Sequence, residues 1–304
     1  MRNISADILI IGAGPAGLTA GLYASRAGKK TVVLEGRSAS RLSLGYEIEN
    51  YPGFRSIDSR ELIERFREHA SQFGAEFVRG EVIGLSLGTS PKYVSTSEAF
   101  FEAKAVILAT GRPMPKEKML PGEERLVGFG VSYCATCDGP LYRGLDVAAY
   151  GHSEEAADEV LLLQQMGCKV HWVTGKAEET GPLSEKIKRA QQAGISTFLN
   201  SSIKEIVGAD RVEGVILRTD GEERSLKVAG LFILREIPSG PLFEKAGLKT
   251  DHKQCLAVDR FQRTNLEGVF AAGDVTCGSL QIVSAAGEGC VAALQALSYL
   301  RRSG

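Results

Sequence analysis

Asp7-Ile8-Leu9-Ile10-Ile11-Gly12-Ala13-Gly14-Pro15-Ala16-Gly17 is the stretch on which the fold turns. Its first five residues form a short, β-branched apolar run of the kind that a parallel strand buried on both faces presents, and the glycines follow at once. A helical pattern then begins: Leu18, Ala20, Leu22, Tyr23 and Ala24 carry it to Gly28, and a second strand, Thr31-Val32-Val33-Leu34, ends in Glu35. That is a complete βαβ unit. In such a unit the glycines permit a tight turn and close backbone approach to a pyrophosphate. The helix N-terminus opened by Pro15 and Ala16 faces the phosphates, and an acid about 20 residues on, here Glu35, holds a ribose hydroxyl. A lone GxGxxG is a weak signal, but strand, helix, second strand and terminal acid together favour a bound dinucleotide over a bare glycine-rich turn.

Working outward, Ala105-Val106-Ile107-Leu108-Ala109-Thr110-Gly111 reads as a third buried strand ending in a flexible turn. Gly268-Val269-Phe270-Ala271-Ala272-Gly273-Asp274 is a short apolar strand that stops at Gly-Asp. It puts a carboxylate at a strand's carboxyl end, where open α/β sheets bind ligands. From Gln281-Ile282 to Leu300 the chain is small and apolar at helical spacing, which taken alone predicts a packing helix.

With 304 residues, 43% hydrophobic and 24% charged, the chain is expected to fold as two domains. A net charge of -1 and a pI near 6.5 give no global attraction for nucleic acid. No apolar run reaches the roughly 18 to 20 residues of a membrane span. Ile8 to Ala20 superficially resembles a signal core, but Asp7 precedes it and Pro15 interrupts it, so a cytoplasmic protein is expected. Six cysteines are too few for a disulfide scaffold. Cys168, Cys255, Cys277 and Cys290 read as small core residues, Cys277 least securely because it follows the Gly-Asp turn.

Cys134-Ala135-Thr136-Cys137 places two thiols close enough for a small-ring disulfide, which suits redox cycling. A zinc site needs more ligands, and no second CxxC or HxxxH is present, so no metal is expected. Asp138 follows directly and can move the proton that thiolate chemistry requires.

Read together, GAGPAGLTAGLYASRAG at Gly12 to Gly28, EIENYPG at Glu47 to Gly53, ATGRP at Ala109 to Pro113, CATCDG at Cys134 to Gly139, and GVFAAGDV with QIVSAAGEG at Gly268 to Val275 and Gln281 to Gly289 resemble the low-molecular-weight thioredoxin reductase family. The likeness spans nearly the whole chain. It implies an α/β fold of two Rossmann-like, three-layer domains of the FAD/NAD(P)-binding type, the second inserted in the first, and a homodimer. It implies FAD as cofactor, contacted by Gly12, Gly14, Pro15, Ala16, Glu35, Gly36, Val82, Ala109, Thr110, Gly111 and Gly273. Asn50 and Asp274 are placed at the flavin end, which Gln281 and Ile282 line. Cys137 is implied to face the isoalloxazine, Cys134 to attack thioredoxin's disulfide, and Asp138 to manage protons.

Two departures bear on the electron donor. After Asp146-Val147-Ala148-Ala149 the second fingerprint reads Ala149-Tyr150-Gly151-His152-Ser153-Glu154-Glu155-Ala156, with Ala149 at the turn-glycine position, Gly151 retained and Glu154 where a small residue packs. Two carboxylates there repel a pyrophosphate. Independently, Thr174-Gly175-Lys176 follows Val170-His171-Trp172-Val173, where the family has a His-Arg-Arg run that holds the NADP 2′-phosphate, and Glu178 and Glu179 come next. NADPH is therefore not expected as a ligand, although binding by other contacts, or NADH, stays open. A flavin also accepts electrons singly, and a branch of the family without nicotinamide motifs takes them from ferredoxin; this chain resembles that branch. Arg41, Arg55, Arg60, Arg65 and Arg67 are candidates for a basic docking face, or else solvated charges.

Punctuation at Arg112 to Lys116 and Ile237 to Pro241 sets the expected boundaries: a discontinuous FAD domain at 1–115 and 240–304, and an inserted redox domain at 116–239. Three other readings stay open: an NADPH-dependent reductase, a redox-sensing flavoprotein without turnover, and a flavin oxidase.

Overall fold

A computed structural model describes residues 2–36, 42, 45–111, 119–133, 135–175, 181–234, 241–251 and 255–303. The chain divides into two compact units, Met1–Pro113 with Ile237–Gly304, and Met114–Glu236.

In the first unit the strand Arg2–Ile11 lies parallel between Thr31–Glu35 and Ala99–Leu108. The sheet runs Glu76–Arg79, Thr31–Glu35, Arg2–Ile11, Ala99–Leu108, Lys92–Thr96, Val82–Ser86, and Val269–Ala271 pairs parallel with the carboxyl-terminal half of Ala99–Leu108. Leu9 and Ile10 are completely buried because successive side chains enter different cores. Ile8, Ile10 and Ile107 pack beneath the helices Pro15–Arg26 and Ile282–Ser303, whereas Leu9, Ile11 and Leu108 join Val94 and Phe101 on the other face. The helix Pro15–Arg26 meets this sheet through small residues. A Cβ on Gly21 would approach Val33 Cγ2 to 3.2 Å, so the helix axis lies close to the strands.

The second unit repeats the plan with a five-stranded parallel sheet ordered Ser196–Phe198, Lys169–Val173, Asp146–Tyr150, Gly230–Ile233, Val131–Ser132. Its core gathers Val147, Ala149, Trp172 and Phe232 with Val160 and Leu163 of the helix Glu154–Gln165. A three-stranded antiparallel meander, Ser201–Val207, Gly214–Thr219 and Glu222–Lys227, completes it. Among the described residues no helix is long and apolar enough to cross a membrane, and no cluster of His, Cys, Asp or Glu could hold a metal ion.

Candidate functional site

The first glycine loop is built by steric necessity. Gly12 has φ 114°, and a Cβ there would sit 2.1 Å from the Ala109 carbonyl oxygen; one on Gly17 would sit 1.9 Å from that of Gly12. Both positions exclude any side chain, so the turn is as tight as backbone atoms allow. Gly14 differs. It has ordinary extended geometry, caps the helix without a side-chain hydrogen bond, and a Cβ there would meet no described atom within 4 Å. The side chain is missing where the helix's unsatisfied N–H groups point, which is the opening a pyrophosphate needs.

The surrounding groups fit a dinucleotide. At the end of its strand Glu35 accepts from Arg67 Nη2 at 2.6 Å and lies 3.5 Å from Arg79 Nε, so two arginines keep it oriented and its remaining lone pairs can take a ribose hydroxyl. Gly36 and Glu81 adjoin at that edge, and Val82 opens the next strand. Ala109 continues the central strand, its N–H donating to the Ile11 carbonyl at 2.7 Å. Thr110 Oγ1 is buried with no hydrogen-bond partner among the described residues, and Gly111 turns with φ 66°. An orphaned hydroxyl beside an open glycine is what a ligand's polar atom would satisfy.

The carboxyl-terminal segment folds back onto this loop. A Cβ on Gly289 would meet the Ala16 carbonyl oxygen at 2.1 Å, and one on Gly273 would meet Ala16 Cβ at 2.9 Å. Asp274 begins the short turn Asp274–Thr276. Asn50 Nδ2 donates to Gln281 Oε1 at 3.4 Å, which joins two residues 231 positions apart. Ile282 packs on Leu42, Ile48, Ile57 and Leu62. Sequence reasoning missed Glu288: its Oε2 accepts from the Gly273 N–H at 2.7 Å and from Thr276 Oγ1 at 3.1 Å, and so fixes the Gly-Asp turn. Its only signal was an acid one residue before Gly289 in the same helix.

In the second unit the redox turn follows the edge strand Val131–Ser132. Cys134 and the Cys137 side chain lie outside the described residues, while the helix Ala135–Asp138 carries the Cys137 backbone. The Ala135 N–H donates to Glu159 Oε2 at 3.4 Å, which ties this turn to the helix Glu154–Gln165. Asp138 Oδ2 accepts from Ser132 Oγ at 2.5 Å. Burial raises the Asp138 pKa above the usual carboxylate value, opposed by the Ser132 hydrogen bond. An acid so held retains its proton to a higher pH and can donate it. Tyr142 is pushed up to about 12, by burial first and by the Asp138 charge second.

The second fingerprint needs a correction. The Gly12 N–H donates to the Leu34 carbonyl and the Gly151 N–H to the Val173 carbonyl, and the helices begin three residues later at Pro15 and Glu154. Gly151, Ser153 and Ala156 therefore stand where Gly12, Gly14 and Gly17 stand, and Thr174 where Glu35 stands. Ala149 is simply the buried strand, and Glu154 is the first helical residue. Ser153 Oγ accepts from the Ala156 N–H at 3.1 Å and so caps its own helix. His152 Nδ1 lies 2.8 Å from Thr174 Oγ1, and Thr174 is completely buried. Lys176, Glu178 and Glu179 lie outside the described residues, as does Arg41 of the expected basic face. Of the other arginines of that face, Arg60 pairs with Asp58, Arg65 with Glu61 and Arg67 with Glu35.

Cys255 and Cys277, expected to be separate core residues, are joined in a disulfide. Cys168 and Cys290 are free thiols; Cys168 is buried as expected of a core residue, its Sγ donating to the Gly139 carbonyl at 3.4 Å, whereas Cys290 is only partly buried.

Residues 6–289 match the family described as pyridine nucleotide-disulphide oxidoreductase. The chain is 36% identical to a thioredoxin reductase of Peptoclostridium acidaminophilum, with 99% of this chain and 98% of that one covered. A thioredoxin reductase structure from Streptococcus pyogenes superposes with TM-score 0.88 at 32% identity, covering 99% of this chain and 100% of that one. A ferredoxin-flavin thioredoxin reductase from Clostridium acetobutylicum is 33% identical with TM-score 0.55, again covering 99% and 100%.

Proposed function

The chain belongs to the pyridine nucleotide-disulphide oxidoreductase family, as a thioredoxin reductase acting on disulfides, and from that premise we propose that it binds FAD in its first unit and takes its electrons from reduced ferredoxin rather than NADPH. FAD held by Gly12, Gly14, Ala16, Glu35 and the Gly273-Asp274 turn would supply chemistry that accepts electrons singly and releases them in pairs.

The observation that carries the choice of donor is the closed dinucleotide end of the second unit. Ser153 spends its hydroxyl on an N–H that a pyrophosphate would use. Glu154 opens the helix with a carboxylate that would repel a phosphate. His152 bridges to Thr174 at the position where a ribose-binding acid would stand. Among the described residues NADPH has neither anion cradle nor ribose acceptor there. The Clostridium acetobutylicum relative, whose name includes ferredoxin and flavin, supports the same donor.

Two electrons open the Cys134–Cys137 disulfide, with Cys137 as the sulfur reduced first and Cys134 as the thiolate that attacks thioredoxin. The Cys134 thiolate bonds to one thioredoxin sulfur and the other leaves as a thiolate. Cys137 then attacks Cys134 in the mixed disulfide, which restores the Cys134–Cys137 bond and releases the second thioredoxin thiolate. Asp138 delivers protons to these thiolates.

The test combines purified protein, photoreduced ferredoxin and oxidised thioredoxin under argon, with thiols counted over time. Thioredoxin thiols should accumulate with ferredoxin and not with NADPH, and NADPH should leave the flavin yellow. Flavin bleaching by NADPH at a catalytic rate would overturn the choice of donor and leave the thioredoxin reductase assignment standing.

A further inference from the structure

The Cys255–Cys277 disulfide has no part in the steps above. The two residues are 22 apart in sequence and their Cα atoms are 5.6 Å apart, within the ~4.4–6.8 Å that disulfides span. Cys255 is completely buried, its N–H donating to Asp251 Oδ1 at 3.0 Å, and the neighbouring Leu256 N–H donates to the Val275 carbonyl at 2.9 Å. Cys277 keeps the solvent exposure that Cys255 lacks. It ends the turn Asp274–Thr276, with its N–H on the Asp274 carbonyl.

The crosslink therefore grips the turn that is wedged onto the glycine loop, where Gly273 packs against Ala16. Between Asp274 and Gln281 two residues other than glycine, Cys277 and Leu280, both have φ 53°. L-residues adopt that left-handed conformation at a cost, so the segment needs an external hold. The disulfide supplies it at Cys277.

We infer that Cys255–Cys277 is a second redox-active site, opened by a dithiol protein through attack on Cys277 Sγ. The incoming thiolate bonds to Cys277 Sγ, the Cys277–Cys255 bond breaks, and its electron pair leaves on Cys255 Sγ, which takes a proton. The partner's second thiolate then attacks its own sulfur in the mixed disulfide, and Cys277 leaves and is protonated. One dithiol is oxidised to a disulfide and one disulfide is reduced to two thiols. The reductant is dithiol thioredoxin, the product of the chain's own turnover. The site thus senses accumulated product, and its opening releases the Asp274 to Gln281 segment from its left-handed constraint. The nature of the electron donor does not enter.

Wild-type holoenzyme purified in air is equilibrated under argon with thioredoxin poised from all-disulfide to all-dithiol, quenched in acid, alkylated and mapped by peptide mass. Cys255 and Cys277 should be linked at one extreme and alkylated together at the other. Mapping separates them from Cys134 and Cys137 and requires no variant to fold. A pair that stays linked against all-dithiol thioredoxin, or that is found as thiols in air-purified protein, overturns the proposal. Thioredoxin activated as a mixed disulfide with thionitrobenzoate should couple to Cys277 in Cys255→Ser at least ~10-fold faster than to Cys255 in Cys277→Ser, because access governs exchange; equal rates overturn the choice of attacked sulfur. Limited proteolysis within 274–281 should accelerate in the opened form, and unchanged cleavage overturns the release.

Discussion

Both units open a helix at the end of their central parallel strand, but one N-terminus is bare and the other is already satisfied. At the first, Gly14 gives no capping side chain and a Cβ would meet nothing within 4 Å. At the second, Ser153 caps Ala156, and His152 reaches Thr174. The folds beneath are alike, down to Gly12 on the Leu34 carbonyl and Gly151 on that of Val173. A Rossmann-like frame does not by itself fix its ligand, and on the proposed reading the side chains at the loop decide whether an anion can enter.

The sharpest way to break this contrast is to put a carboxylate at each cap. Gly14→Asp should fold, because its φ of -82° and ψ of -176° suit any residue and its side chain would meet open space. It should nevertheless retain FAD at least ~100-fold more weakly, since a charge would occupy the pyrophosphate position. Ser153→Asp should leave flavin content untouched. Flavin absorbance per protein after desalting checks both, and equal retention in Gly14→Asp and wild type would remove the first unit as the FAD site.

On the proposed reading the second unit binds no nucleotide but carries the redox turn, and Asp138 tests that half of the contrast. Asp138→Asn should slow thioredoxin reduction by roughly 10²-fold, the usual contribution of a positioned acid. Its effect on stability has a definite sign. The folded pKa is raised by burial, so the native state holds the proton more tightly than the unfolded chain, and stability falls as pH rises from the ordinary carboxyl value of 3.8 through the folded value. Asn carries no such penalty. The variant should therefore be more stable than wild type at neutral pH, with the gain closing as pH falls toward 3.8; urea midpoints across pH measure it.

The first unit was legible because its signals are local. Strand, glycines, helix and Glu35 lie in one run of sequence, and Gly12 and Gly17 have a steric reason that a reader can anticipate. The second fingerprint was misread by two positions because Ala148-Ala149-Tyr150 contains no glycine to mark where the strand stops. Only the Gly151 hydrogen bond to Val173 fixes the register. Long-range pairings leave no local pattern: Asn50 and Gln281 were brought together only by the family resemblance, and Glu288 with Gly273 and Cys255 with Cys277 went unread. The arginines were ambiguous in sequence for the opposite reason, since the acids that pair with Arg60 and Arg65, Asp58 and Glu61, lie close to them in the chain.

A finer test reopens the closed end. His152→Ala with Ser153→Gly removes the bridge to Thr174 and the capping hydroxyl while leaving the Gly151 turn intact. If these two groups exclude the nucleotide, NADPH should bleach the flavin of the double variant measurably, and only slowly, because Glu154 still opens the helix and no acid stands at Thr174. No bleaching at millimolar NADPH would mean that closure at residues 152–153 is not what bars it.

The smallest effect belongs to the cap itself. Ser153 satisfies one of the orphan N–H groups of the helix Glu154–Gln165, so Ser153→Ala should cost about 1 kcal/mol and Ser153→Gly only a few tenths, because glycine leaves that N–H open to water. In the first unit Gly14→Ser should do the reverse. It would gain a cap and stabilise the flavin-free protein by up to a similar amount while weakening FAD, since the hydroxyl would compete for the N–H groups that hold the phosphates. Thermal midpoints of flavin-free and flavin-loaded Gly14→Ser should shift in opposite directions relative to wild type. A shift of the same sign in both would show that Gly14 is kept for a reason other than its ligand.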